Sequence, residues 1–263
     1  MLPHILCAAL ALPSLTASAD EALPKQLAPA EQAAALRSAE TTGLTIYRHD
    51  QAASVATDAA IKQRNLTKDG RVRGWITQER GDSIIVTFID QTPAALYRVP
   101  VSKDGVAGEV TALESPAPLT PYEAGASTAR AAAVASNFQR CAPTYNSVVL
   151  PATNSASDWA VYLLPGTTQS DVVPIGGTQR IEVRGAEVIS QRGFTKSCIT
   201  LKTPVGAVAM TITHLLDNTP TEAHVFWSLW TKKPMYVVTP ADGSVWEVQG
   251  DKIKLLQMKA GKG

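Results

Sequence analysis

Apolar and polar residues alternate with the period of a β-strand through much of the chain after Tyr145. Short connections such as Arg184-Gly185 and Gly250-Asp251 separate these stretches. This pattern predicts half-buried strands, and such short connections favour antiparallel hairpins over βαβ crossovers. The predicted strands cover residues 147–150, 159–164, 179–183, 187–190, 197–201, 207–214, 223–229, 235–238, 245–248 and 252–257.

Helical and strand patterns are mixed in the first half of the chain. The Ala-rich segments 29–42, followed by Gly43, and 50–64 predict two helices around a short β-prone stretch at 44–47. Segments 71–80 and 83–90 predict a hairpin that turns at Gly81-Asp82, and 95–101 with 106–112 predict a second hairpin. A third Ala-rich segment, 123–137, predicts another helix.

These elements predict an α+β fold of mostly antiparallel sheet with about three Ala-rich helices. Pro116, Pro118 and Pro121 make residues 114–122 the best candidate for a linker. This linker would separate an N-terminal α+β part, residues 20–113, from a mainly antiparallel β part, residues 123–263. The pattern leaves open whether the two parts share one core.

Residues 1–19 have the features of a cleaved signal peptide, which predicts a periplasmic or secreted protein. A short apolar run, 5–15, precedes the small-residue site Ala17-Ser18-Ala19, although no Lys or Arg stands before it. The run is far shorter than the roughly 20 residues that span a bilayer. No other stretch is long enough, so no transmembrane segment is expected in the mature chain.

Two cysteines, Cys141 and Cys198, remain after the predicted signal peptide. An isolated pair in an oxidising compartment predicts a disulfide, whereas a free nucleophilic thiol, the alternative, is disfavoured there.

Charge is balanced along the chain, with 24 Lys and Arg against 23 Asp and Glu, and no basic block occurs. Nucleic-acid binding, which depends on clustered cations, is therefore not expected.

The segment from His214 to His224 concentrates candidate chemistry. It holds His214, Asp217, Glu222 and His224, and it joins two apolar stretches that predict strand, turn and strand. Imidazoles beside carboxylates can hold a transition metal, so His214 and His224 are candidate metal ligands. The spacing matches no standard zinc signature, and the alternative is that the histidines satisfy buried polar groups.

A second candidate is Arg48-His49-Asp50, at a predicted junction between strand and helix. Asp50 is expected to cap the helix that starts there, and Arg48 and His49 are candidate binding residues. If the fold brought His49 near His214 and His224, a site with three histidines would form.

No nucleophile signature accompanies these histidines. The chain has neither a Gly-x-Ser-x-Gly elbow nor a serine in a recognisable triad context. All five tryptophans fall in predicted strands, where core packing is their usual role. Trp227 and Trp230, an odd number of residues apart, would then face opposite sides of a sheet.

Several motifs carry a family resemblance: Tyr47-Arg-His-Asp50, residues 145–151 (YNSVVLP), residues 161–165 (VYLLP) and residues 213–226. With these motifs the chain resembles a group of uncharacterised exported proteins of Gram-negative bacteria. The resemblance extends over most of the mature chain. It implies an exported location and no particular activity or cofactor.

Two functional hypotheses follow. The first is a non-enzymatic binding module that recognises an envelope or extracellular protein or peptide. The second is a metal-dependent or hydrolytic enzyme that uses the His214–His224 turn. The absence of a complete catalytic signature favours the first.

Overall fold

The computed structural model describes residue 24 and residues 26–152, 158–169 and 171–257. The predicted signal peptide lies outside these residues. The described part is an α+β fold dominated by antiparallel sheet, as predicted. Its elements are α1 (Pro29–Arg64), β1 (Gly74–Arg80), β2 (Ser83–Ile89), β3 (Ala95–Ser102), β4 (Thr111–Ala117), α2 (Pro121–Ala135), β5 (Tyr145–Pro151), β6 (Trp159–Pro165), β7 (Val172–Val173), β8 (Gln179–Arg184), β9 (Glu187–Gly193), β10 (Leu201–Lys202), β11 (Met210–Thr213), α3 (Glu222–Thr231), β12 (Met235–Thr239), β13 (Ser244–Gln249) and β14 (Lys252–Gln257).

The strands form three four-stranded sheets and one short pair. Their orders are β1-β2-β3-β4, β5-β6-β8-β9 and β11-β12-β13-β14, with β7 paired to β10. The predicted hairpin at Gly81-Asp82 is confirmed, since Arg80 pairs with Ser83 across the turn. The second predicted hairpin is confirmed in part: Ala107 forms an isolated antiparallel bridge with Val101, and Thr111 and Ala112 pair with β3, but residues 108–110 do not lie in a strand. Of the predicted strand 197–201, only Leu201 lies in a strand.

The first helix corrects the predicted break at residues 43–49. α1 runs without interruption through Gly43 and through the β-prone stretch. A Cβ atom on Gly43 would lie 2.5 Å from Val225 Cβ and 2.8 Å from the Glu222 carbonyl oxygen. Gly43 therefore serves the close approach of α1 and α3, and it does not end a helix.

The second correction concerns residues 223–229, which were predicted as a strand and form most of α3. A short apolar run cannot be assigned to strand or buried helix by periodicity alone. Here the run is buried on both sides by α1 and sheet β11–β14. Because α3 joins β11 to β12 and these strands pair in parallel, the preference for hairpins over βαβ units is wrong at this place.

Residues 114–122 form the end of β4 and the start of α2, where Pro121 occupies the first turn. Thr120 caps this helix, with its hydroxyl accepting from the Glu123 amide at 3.3 Å while the Glu123 carboxylate accepts from the Thr120 amide at 2.8 Å. Two hydrophobic clusters combine residues from both sides of this segment. One joins Ile46 to Val225, and the other joins Ile76 to Val161. The division into two domains stays a prediction.

Helices cover both faces of sheet β5-β6-β8-β9. Ala126 and Ala129 of α2 pack with Val161 and Ile181 on one face. On the other face Tyr162 packs with residues of α1 and α3. Small alanines along α1 also let it lie close to sheet β1–β4, where Ala56 joins the cluster of Val86 and Val99. The helix α1 thus contacts the cores on both sides of residues 114–122.

The disulfide predicted between Cys141 and Cys198 is confirmed, with the two Cα atoms 5.2 Å apart. None of the helices among the described residues has the length and hydropathy of a membrane span.

Candidate functional site

The histidines at 214 and 224 come together at the loop between β11 and α3. Their rings are in edge-to-face contact, with centroids 4.7 Å apart. His214 continues the buried alternation of Met210 and Ile212, as predicted, and is 2% exposed. His224 is wholly buried at the third position of α3.

Asp217 fixes the orientation of His214. Its Oδ2 lies 2.9 Å from His214 Nε2 and 2.6 Å from an Nη of Arg192 on β9. Burial raises the pKa of Asp217, but the hydrogen bonds from His214 and Arg192 outweigh it and lower the pKa to about 2. Since the carboxylate is ionised and can only accept, His214 Nε2 carries a proton and donates it.

His224 is held by its own helix terminus. Its Nδ1 accepts a hydrogen bond from the Thr221 amide at 3.0 Å, which completes the cap of α3. Its Nε2 is buried without a hydrogen-bond partner among the described residues. Because it is completely buried and lies beside His214, its pKa is well below the ordinary value.

This cluster fits the structural alternative better than a metal site. The lone pair of His224 Nδ1 is occupied, and the Nε2 proton of His214 is directed at Asp217. Among the residues that the structure describes, no group of three or more His, Cys, Asp or Glu side chains is placed to hold a metal ion. The cluster fastens the β11–α3 loop to β9 through Arg192.

His49 lies in a different place, so the three histidines do not form one site. It belongs to the middle of α1, and its Nδ1 is hydrogen bonded to Thr77 Oγ1 of β1 at 2.7 Å. Its Nε2 is 3.8 Å from Glu79 Oε1, and Glu79 is paired with Arg48 at 3.1 Å. Burial, with a smaller contribution from Arg48, lowers the pKa of His49 to about 4.

Glu222 is separate from the histidine pair although it lies on the same helix. Its Oε1 accepts from the Tyr162 hydroxyl at 3.3 Å and lies 3.5 Å from an Nη of Arg180. Arg180 also binds Glu182, through Nε at 2.6 Å. Tyr162 and Arg180 are register partners on β6 and β8, so this network spans the face of the sheet under α1 and α3.

Two of the concave sites beside α1 contain the buried side chains of Asp50 and His49. We call the first the Asp50 cleft. It has a volume of about 560 Å³, and its walls include Asp50, Thr144, Asn146, Phe226, Trp227 and Trp230. We call the second the His49 cavity. It has a volume of about 330 Å³, and its walls include Thr42, His49, Tyr122, Ala160, Tyr162 and Arg180.

Asp50 is not a helix cap, contrary to the sequence prediction, because it lies in the middle of α1 and is 6% exposed. Its Oδ1 accepts from the Asn146 amide at 3.1 Å, and its Oδ2 has a longer contact of 3.5 Å with Gln51. Burial raises the pKa of this carboxyl, and the two amide contacts oppose the rise only in part. The sequence does contain a signal for the burial of Asp50, since Ile46, Asp50 and Ala53 share one face of a continuous helix.

The tryptophans of α3 also differ from the prediction. Trp227 and Trp230 lie three residues apart on a helix, so they share a face instead of opposing each other. Their ring centroids are 5.4 Å apart, edge to face. Trp227 is fixed by a 2.9 Å hydrogen bond from its indole N–H to Thr178. Both rings line the Asp50 cleft.

Acidification should destabilise the protein through its buried histidines. The folded pKa of His49, about 4, is below the unfolded value of 6.5, so the unfolded chain binds the proton first. Stability is therefore lost as pH falls from 6.5 towards 4. From pH 7 to pH 5 the loss from His49 is about 2 kcal/mol. The lowered pKa of His224 adds to this loss of stability on acidification, whereas the raised pKa of Asp50 opposes the loss.

Urea unfolding at a series of pH values would measure this effect, with His49→Asn as the comparison. Asparagine keeps a hydrogen-bonding group near Thr77 and does not titrate. The variant should show a shallower fall of stability between pH 6.5 and pH 5. An unchanged pH dependence would contradict the assignment.

Comparison with protein-family models, with curated proteins and with solved structures gives no match to this chain.

Proposed function

We propose that the protein is an exported binding module that holds an organic cation, an amine or a guanidinium group, in the Asp50 cleft. The observation that carries this proposal is a buried carboxylate whose hydrogen-bond partners among the described residues are two amides. The disulfide supports export, because such bonds persist in oxidising compartments.

Other buried carboxylates of this protein have a cation of their own. Glu123, 4% exposed, lies 3.0 Å from an Nη of Arg98, and Glu182, 8% exposed, is paired with Arg180. Asp50 is buried to the same degree, yet none of the groups that set its pKa is a cation. An ionised carboxylate in such a place loses solvation, and the contacts recorded for Asp50 among the described residues supply no cation to replace it.

A cationic ligand would supply the missing charge. It would reach Asp50 inside a cleft whose described lining residues include no other charged side chain. The ring of Trp230, which is partly exposed, adds a surface that attracts cations through the ring quadrupole, and the buried rings of Phe226 and Trp227 lie behind it. A cleft with apolar walls and few convergent polar groups is the usual form of a small-molecule or side-chain binding site.

The test is a titration followed by tryptophan fluorescence, with butylamine and butylguanidinium as probes. Butanol and butyrate serve as neutral and anionic counterparts. The cations should bind, and Asp50→Asn should weaken their binding roughly ten- to hundredfold, as expected for a charged hydrogen bond. Asp58→Asn, an exposed acid on the same helix, is the matched control and should have no effect.

Binding should also weaken on acidification, with a midpoint above the ordinary Asp value of 3.8, and Asp50→Asn should remove this dependence. Tripeptides with a central Lys or Arg, compared with the free amines, distinguish a peptide ligand from a small molecule. Equal binding of butanol and butylamine, or no saturable binding by any cation, would overturn the proposal.

A further inference from the structure

The His49 cavity is separate from the Asp50 cleft, and no residue lines both. It lies where α1 meets β1, β5, β6 and the first turn of α2. His49 and Asp50 are neighbours in the chain, and the rotation of about 100° per residue along a helix directs them to the two sites.

One wall of this cavity is a stripe of hydroxyl groups on α1, formed by Ser38, Thr41, Thr42 and Thr45. Their spacing of three, four and seven residues places them on one face of the helix. Threonine is a poorer helix former than the alanine that fills much of this helix, so helix propensity does not explain the stripe. The Thr45 hydroxyl donates to the Thr41 carbonyl oxygen at 2.9 Å and can only accept from a ligand, while the other hydroxyls give the cavity donors and acceptors where alanine would give none.

The opposite wall provides phenol and guanidinium groups, and the charge of the guanidinium is compensated, whereas His49 lies on α1 itself, one turn after Thr45. Arg180 lies between Glu182 and Glu222, and the Tyr162 hydroxyl donates to Glu222. Glu79, at the rim, is paired with Arg48. Within the part of the chain that the structure describes, the Tyr122 hydroxyl donates one long hydrogen bond, 3.4 Å, to the Thr77 carbonyl oxygen.

A small apolar patch completes the cavity. Leu150, Pro151 and Ala160 line it beside the two tyrosine rings. The combination suits a ligand with one apolar face and several hydroxyl groups. Its volume of about 330 Å³ is at the lower end of the range for small-molecule sites, about 300–1,000 Å³, which suits a single ring.

We infer that the His49 cavity is a second binding site, specific for a small uncharged polyhydroxylated ring such as a monosaccharide or a cyclitol. The inference rests on the hydroxyl stripe, the compensated charges and the apolar patch. It is independent of the cation proposed for the Asp50 cleft.

Isothermal titration calorimetry with methyl hexosides and inositol tests this inference, with glucosamine and glucuronic acid as charged counterparts. Saturable binding of an uncharged probe is expected. Thr42→Val and Tyr122→Phe should each weaken it roughly two- to tenfold, as expected for a neutral hydrogen bond. Thr57→Val, on the same helix but outside the cavity, is the matched control and should have no effect.

Thr41→Trp would block the cavity from its rim, because Thr41 is an exposed residue of the lining. It should abolish binding and leave the thermal unfolding midpoint nearly unchanged. Asp50→Asn should leave binding of the uncharged probe intact, which separates this site from the cleft. The inference is overturned if no uncharged probe binds at millimolar concentration, if the charged counterparts bind more tightly, or if Thr41→Trp leaves binding unchanged.

Discussion

Removal of the disulfide between Cys141 and Cys198 should lower the free energy of unfolding by about 4 kcal/mol. The bond joins residues 57 positions apart, and closing a loop of this size restricts the unfolded chain by about that amount in the chain-entropy model. It also ties the segment before β5 to the segment before β10, neither of which lies in a helix or strand.

The measurement is urea unfolding of the double variant Cys141→Ser, Cys198→Ser beside the parent protein with and without reductant. The reduced parent and the variant should unfold at the same, lower urea concentration. If the reduced parent keeps the midpoint of the oxidised protein, the bond does not contribute to stability. A reduced parent more stable than the variant would show that the serines themselves destabilise the loops.

Replacement of Gly43 by valine should cost about 3 kcal/mol, near the upper end of the usual range for overpacking. The new Cβ would meet Val225 Cβ at 2.5 Å and the Glu222 carbonyl oxygen at 2.8 Å, so α1 and α3 would have to separate. Helix propensity alone predicts a gain in stability for Gly43→Ala, by up to about 1 kcal/mol. The sign of the stability change in Gly43→Ala therefore tests whether steric contact with α3 or helix propensity dominates at this position.

Thermal and urea unfolding of Gly43→Ala and Gly43→Val would measure both effects. Gly70→Ala is the matched control, since a Cβ there would have no neighbour within 4 Å. A loss of stability that increases from alanine to valine, with little change at Gly70, is the expected result. A stabilised Gly43→Ala protein would show that the two helices adjust to the extra atom without cost.

The sequence predicts local structure well where a turn residue or the alternation of apolar and polar side chains determines it. Gly81 with its positive φ closes the β1–β2 hairpin, and the alternation through Met210 and Ile212 places His214 in the core. It fails where tertiary contact overrides local preference. Gly43 and the β-prone stretch 44–47 predict a break in the helix, yet α1 is continuous there and packs on α3.

The same limit explains the candidate sites. The segment 214–224 does bring His214, Asp217 and His224 together, because these residues are close in sequence. The two concave sites were missed because their walls come from distant elements. Asp50 and Asn146 lie 96 residues apart, and nothing in either local pattern indicates their contact.

The helix α1 precedes its packing partners along the chain, which has a consequence for folding order. It is synthesised before them, since Ile46 packs against Val225, and Glu40 accepts a hydrogen bond from the amide of Ile253, 213 residues later in sequence. Contacts of such large sequence separation slow folding, because loop closure must precede them. During synthesis the face of α1 that carries Ile46 therefore stays exposed until α3 has been made, whereas the face that carries Ala56 can already pack on sheet β1–β4.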